Sequence, residues 1–174
     1  MKILVCISKV PDTTSKINFV DNNTKFDENG VQYIVNPYDE WYALVRALEL
    51  VEASGGTVTT ITVGTSSDDP TIRKALAIGA NDAVRIDADP TDSFFVAKQI
   101  SEYAKNENYD IVMTGKETIN YNGAQIGGML AEILDMPFVS LANKLDVNGT
   151  QATLERDVQG GIEVVEVDFP FVLS

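Results

Sequence analysis

An apolar run, Ile111-Val112-Met113, stops at Thr114 and gives way to a polar loop from Gly115 to Gln125. A helical repeat follows at Ile126, Met129, Leu130, Ile133 and Leu134. A short run that is apolar throughout suits a strand covered on both faces, and a strand leading through a loop into a helix is half of a parallel βαβ unit. The unit recurs along the chain. Ile3 to Ile7 is a second continuous apolar run. Thr57 to Val63 is rich in β-branched residues, and Pro70 opens the helix behind it. Ala83 to Ile86 leads to a helix that begins near Asp92 and packs through Phe95 or Val96, Ile100 and Tyr103. The spacing predicts an α/β fold with a parallel sheet between helices.

Between the first two strands, Ile17 to Tyr33 alternates weakly around turns at Asp21-Asn22-Asn23 and Asp27-Glu28-Asn29-Gly30, which predicts a small hairpin. Val35 to Glu40 starts the first helix, with Asn36 as its N-cap, Pro37 in the first turn, and Asp39 and Glu40 complementing the dipole. Trp41, Leu44, Leu48 and Val51 form its apolar stripe, and Ser54-Gly55-Gly56 ends it. Ile72, Ala75, Leu76 and Gly79 give the second helix its packed face. After Pro137 the period changes to two, from Ser140 to Phe169, with turns at Asn148-Gly149 and Gln159-Gly160-Gly161. That pattern reads as antiparallel hairpins appended to the parallel sheet.

The loop after Thr114 is the candidate site. Open α/β sheets bind ligands beyond the carboxyl ends of their strands, and a helix N-terminus offers free N–H groups to an anion. Asn120, Asn122 and Gln125 can hydrogen-bond to a ribose, a phosphate or a base edge, and Gly123, Gly127 and Gly128 present no Cβ to a ligand. An ordinary βα connection would use the same turn residues. Asn36 is a second candidate, beside the same edge. The loop Gly64-Thr65-Ser66-Ser67 could also face a nucleotide. Neither Gly-x-Gly-x-x-Gly after a strand nor the Walker lysine pattern is present.

Composition narrows the chemistry. A formal net charge of −13 argues against nucleic acid or an anionic membrane as partner. The absence of histidine removes the commonest general base and transition-metal ligand. The single cysteine, Cys6, rules out an intrachain disulfide framework and fits a reducing cytoplasm. No run approaches the length needed to span a bilayer. At 174 residues the chain is expected to be one domain, 1–174.

Separated stretches then point the same way. Val35-Asn36-Pro37-Tyr38-Asp39-Glu40, Arg73 to Ala80, the loop from Gly115 to Gly128, and Arg156 to Glu163 with Pro170-Phe171-Val172 behind it resemble the electron transfer flavoprotein beta subunit in order and across the whole chain. The resemblance implies a three-layer parallel sheet of the adenine nucleotide α-hydrolase-like type with appended antiparallel strands. It implies a heterodimer with an alpha subunit, whose FAD is shared between the subunits and takes electrons from acyl-CoA or other dehydrogenases. The chain would be an electron carrier subunit and no catalyst on its own, with AMP or a second FAD in its own pocket. Matching positions assign that pocket to Cys6, Asn36, Val63, Asn120, Asn122, Gly123, Ala124, Gln125 and Ile126, with Cys6 and Val63 contributing through backbone. AMP-binding members often read Asp-Asp-Asp-x-Asn-Gln-Thr where this chain has Asn120 to Ile126, and the Ala124-Gln125-Ile126-Gly127 portion is closer to electron-bifurcating members. Many members carry an aromatic residue at Thr13 and an acidic one at Gln159. The family also continues past Val172 into a C-terminal arm, which this sequence is expected to lack. A stand-alone ATP-binding regulatory domain of universal-stress type is the competing reading on the same fold, but its Gly-x-x-Gly-x(9)-Gly-Ser/Thr spacing does not follow Thr114.

Overall fold

In a computed structural model describing residues 1–174, the apolar runs become the strands of one six-stranded sheet. In chain order the elements begin with β1 (Lys2–Cys6), β2 (Lys9–Pro11), β3 (Phe19–Val20), β4 (Lys25–Phe26), β5 (Tyr33–Val35), α1 (Asp39–Ser54) and β6 (Thr57–Gly64). A single 3-10 turn at Ser66–Asp68 leads into α2 (Asp69–Ile78), then β7 (Asp82–Asp87), α3 (Ser93–Ala104), β8 (Ile111–Met113) and α4 (Ile126–Leu134). The last strands are β9 (Phe138–Val139), β10 (Ala142–Asn148), β11 (Gln151–Val158), β12 (Gly161–Asp168) and β13 (Phe171–Leu173).

The sheet runs β7-β6-β1-β8-β13-β9, and every pairing in it is parallel. Side chains alternate across it with period two, as extended backbone requires. Ile3, Val5 and Ile7 of the β1 segment pack with Leu44, Ala47 and Leu50 of α1 and Ala75 of α2. Leu4 and Cys6 point the other way, joining Ala97 and Ile100 of α3 and Leu130 of α4. The result is helix, sheet, helix: the three layers expected. The outermost antiparallel sheet, β10-β11-β12, sits on the α1 side and adds Leu145, Ala152 and Leu154 to that core.

Local details differ from the sequence reading. The buried stripe of α1 is Glu40, Leu44, Ala47 and Leu50, with Trp41, Leu48 and Val51 only partly covered. Leu76 of α2 is 41% exposed and takes no part in the buried face. The predicted hairpin is β3–β4, turning through Asp21, Asn22 and Asn23 at φ of 52°, 58° and 65°. Asx residues tolerate that left-handed region better than others. An antiparallel ribbon, β2 with β5, flanks the hairpin and had no sequence signal. Gly55 caps α1 as expected, its N–H donating to the Val51 carbonyl at 2.8 Å. No helix is long and apolar enough to cross a membrane.

Candidate functional site

Strand order decides where a crevice opens. From β1 the chain steps to β6 and on to β7, then returns across the sheet through α3 to β8 on the other side of β1. The connections therefore diverge between β1 and β8, and such a reversal leaves a gap beyond the carboxyl ends of the two strands. The loop from Gly115 to Gln125 issues from β8 at that point.

The amides of this loop are its chemical content. None of the six consecutive N–H groups from Gly123 to Gly128 donates to a protein acceptor within the chain. Three belong to the first turn of α4, where the helix cannot satisfy them and the macrodipole adds partial positive charge. Asn122 and Ala124 have φ of 51° and 50°, which turns successive N–H groups of the loop in a way that regular structure does not. Asn120, Asn122, Gly123, Ala124 and Gln125 are all exposed. Gln125 occupies the N-cap position of α4, but its side chain makes no capping bond. Ile126 packs down on the α3–α4 side of the core, the side that also holds Cys6 and Val63. The start of α3 lies near, since a Cβ added to Gly123 would sit 3.9 Å from the Ser93 hydroxyl.

The expected site residues thus fall into two sets. Cys6, Val63, Ile126 and the loop 120–125 share the α3–α4 side. Cys6 is buried and its thiol is pushed far above the ordinary range, first by burial and then by the nearby Glu40 carboxyl. A thiol so held is no nucleophile. Asn36 comes up from the α1 side and is fully buried. Its Nδ2 donates to the Glu117 carbonyl at 2.9 Å, and its Oδ1 accepts from the Ile119 N–H at 3.0 Å. Both ends of the amide are spent on the loop backbone, so Asn36 acts on a ligand only through the loop.

The backbone explains why Asn36 is not the predicted helix cap. Pro37 and Asp39 close a γ-turn, with Asp39 N–H donating to the Pro37 carbonyl at 3.0 Å and Tyr38 at φ 66°, ψ −83°. That conformation is uncommon and strained for a non-glycine residue, and it directs Asn36 under the loop instead of over the helix. Asp39 then accepts from the Glu117 N–H at 3.3 Å. Glu40, assigned on sequence to the dipole, is buried, and burial pushes its carboxyl up to about 8 despite bonds from Ser8. Ser8 donates to it through its N–H at 2.7 Å and its hydroxyl at 2.9 Å. No periodicity in the sequence ties residue 8 to residue 40. Lys116 pairs with Glu117 at 3.1 Å and lines a separate cleft of about 640 Å³ with Tyr42, Leu141 and Leu173, on the α1 side.

The glycines divide by role. A Cβ on Gly127 would meet Thr114 Oγ1 at 2.8 Å and the Phe138 ring at 2.9 Å, so its bareness lets α4 approach the sheet. A Cβ on Gly123 would meet only the Ser93 hydroxyl, at ordinary van der Waals distance.

Comparison with known proteins bears on what this arrangement serves. The family model described as electron transfer flavoprotein domain matches residues 23–174. The chain is 35% identical over 178 residues to the electron transfer flavoprotein subunit beta of Bacillus subtilis, covering 100% of this chain and 68% of that one. It is 38% identical over 180 residues to the mitochondrial electron transfer flavoprotein subunit beta of Oryza sativa subsp. indica, covering 100% and 71%. It is 35% identical over 190 residues to the protein FixA of Azorhizobium caulinodans, covering 100% and 65%.

Proposed function

The chain belongs to the electron transfer flavoprotein family, in its beta-subunit branch, and from that premise we propose that it holds an adenine nucleotide while helping to enclose the flavin of a partner subunit. The observation that carries the nucleotide reading is the run of unpaired amides from Gly123 to Gly128 at the strand-order reversal. Phosphate oxygens fit them: the loop supplies donors and a helix dipole without a basic patch, which an acidic chain does not otherwise offer. Asn120, Asn122 and Gln125 would offer side-chain donors and acceptors to ribose or base, while Cys6 and Val63, at the carboxyl ends of β1 and β6, would contribute through backbone. AMP and a second FAD share the adenosine phosphate that these groups would hold.

A flavin on the partner would supply reversible one- and two-electron chemistry, taking electrons from dehydrogenases. This chain's residues would bind, orient and exclude water, and an electron carrier needs no proton-transfer catalyst from them.

The test is to prepare the chain with an alpha subunit, record the visible spectrum, and identify the nucleotide released on denaturation. One flavin per heterodimer with AMP supports a simple carrier, and two flavins support a second FAD in this pocket. ATP on the chain alone, with no flavin in any preparation, would overturn the reading. Gln125→Ala is expected to weaken nucleotide retention several-fold while leaving the unfolding midpoint in place; retention equal to wild type removes Gln125 from the site.

A further inference from the structure

We propose that Glu40, seated between Ser8 and Gly115, is a positioning residue for the loop that follows β8, and that a negative charge on it slackens that loop. The consequence for a ligand rests on the nucleotide reading above; the effect on the loop stands on the geometry alone.

Glu40 lies in the first turn of α1, 7% exposed, and both its carboxyl oxygens face Ser8. No lysine or arginine compensates it. The titratable groups around it are the Cys6 thiol from β1 and the Asp39 carboxylate from α1, which raises it further. From the loop, Lys116 and Glu117 pair with each other. Burial places its titration near pH 8, so the carboxyl is largely protonated at neutral pH.

Gly115, the first residue of the loop, is locked against it. A Cβ on Gly115 would stand 2.8 Å from Glu40 Cγ, 2.9 Å from Asp39 Cβ and 3.0 Å from the Glu40 amide nitrogen. A charged carboxylate there is largely shielded from water, and hydrating it fully would draw the first turn of α1 away from Gly115. The same turn and the residues just before it hold the loop at Glu117 and Ile119 through Asp39 and Asn36. Parting it therefore loosens several anchors together, and the binding-competent fraction falls with them.

The experiment titrates AMP by calorimetry into the wild-type and Glu40→Gln chains between pH 6.5 and 9, at about half-unit steps. It also measures amide hydrogen-exchange protection of Gly115, Glu117 and Ile119 without nucleotide. Glutamine keeps the shape and can donate to the Ser8 hydroxyl. Wild-type affinity is expected to fall roughly tenfold from pH 7 to 9, the E40Q profile to be flat, and wild-type protection of the three amides to fall over the same range. Titration of the AMP phosphate is common to both chains and cancels. Parallel affinity profiles, or wild-type protection that does not change with pH after correction for intrinsic exchange, overturn the proposal. If AMP binds neither chain while wild-type protection alone falls with pH, the role of Glu40 stands and the nucleotide reading fails.

Discussion

Asn36 is where residue chemistry and loop geometry meet. Replacing it with alanine leaves the Ile119 N–H and the Glu117 carbonyl without partners in a partly buried setting, a loss of roughly 1–2 kcal/mol of stability. Asn36→Asp keeps the acceptor for Ile119 but sets a carboxylate against the Glu117 carbonyl, and is expected to cost at least as much. Urea unfolding of both variants checks this; a loss below about 0.5 kcal/mol would mean that water replaces the bracket. The sequence marked Asn36 as a residue of interest at the correct edge, yet not for the correct reason. An asparagine before Pro-x-Asp-Glu has the composition of a cap. Only the strained turn at Tyr38, together with contacts 81 and 83 residues away in sequence, diverts it to the loop. Glu40 escaped the sequence for a related reason: an acidic residue in a first turn is a common solvated feature, and it is Ser8 and Gly115, from the segments that follow β1 and β8, that pack against it.

Among the elements, the βα units and the late hairpins were legible because each has its own period. The runs at Ile3, Thr57 and Ile111, the helix begun at Asp92, and the turns at Gly149 and Gly160 all appear where the pattern puts them. Asp92 caps α3 in the expected way, accepting from the Phe95 N–H at 2.8 Å. Strands of two or three residues, such as β2, β5, β9 and β13, are too short to show a period, and only pairing defines them. Helix α4 offers a direct test of how elements fit together. Gly127→Ala drives a methyl group into Thr114 and Phe138 and is expected to lower stability by about 1–3 kcal/mol. Gly128→Ala meets the same ring only at 3.5 Å and lies in a helix, so a gain of up to about 1 kcal/mol is expected. Thermal unfolding of the pair measures the difference, and equal effects would contradict the seating of α4 on the sheet.

At the scale of the whole molecule, Glu40 gives stability a slope with pH. Its carboxyl binds a proton more tightly folded than unfolded, so the contribution is complete below the ordinary carboxylate range and is lost as pH rises through about 8. Stability is expected to decline between pH 5 and 8 by up to roughly 1 kcal/mol per pH unit, and E40Q to flatten that decline. Denaturant midpoints at several pH values decide it; identical slopes in the two chains would assign the decline to other groups. Asp12, Glu102 and Glu117, each held below the usual range by its own hydrogen-bond partners, act in the opposite sense and only in acid. The six-stranded sheet has a further consequence. Its strand β13, made from residues 171–173, lies between β8 and β9, and the two-residue β9 pairs with nothing else. On a ribosome, β1, β6, β7 and β8 emerge early enough to pair in turn, but the far edge of β8 stays bare until residue 173 has left the exit tunnel. A nascent chain paused anywhere in the β10–β12 hairpins would therefore expose an unpaired, wholly apolar strand edge, the feature that chaperones and neighbouring nascent chains recognise.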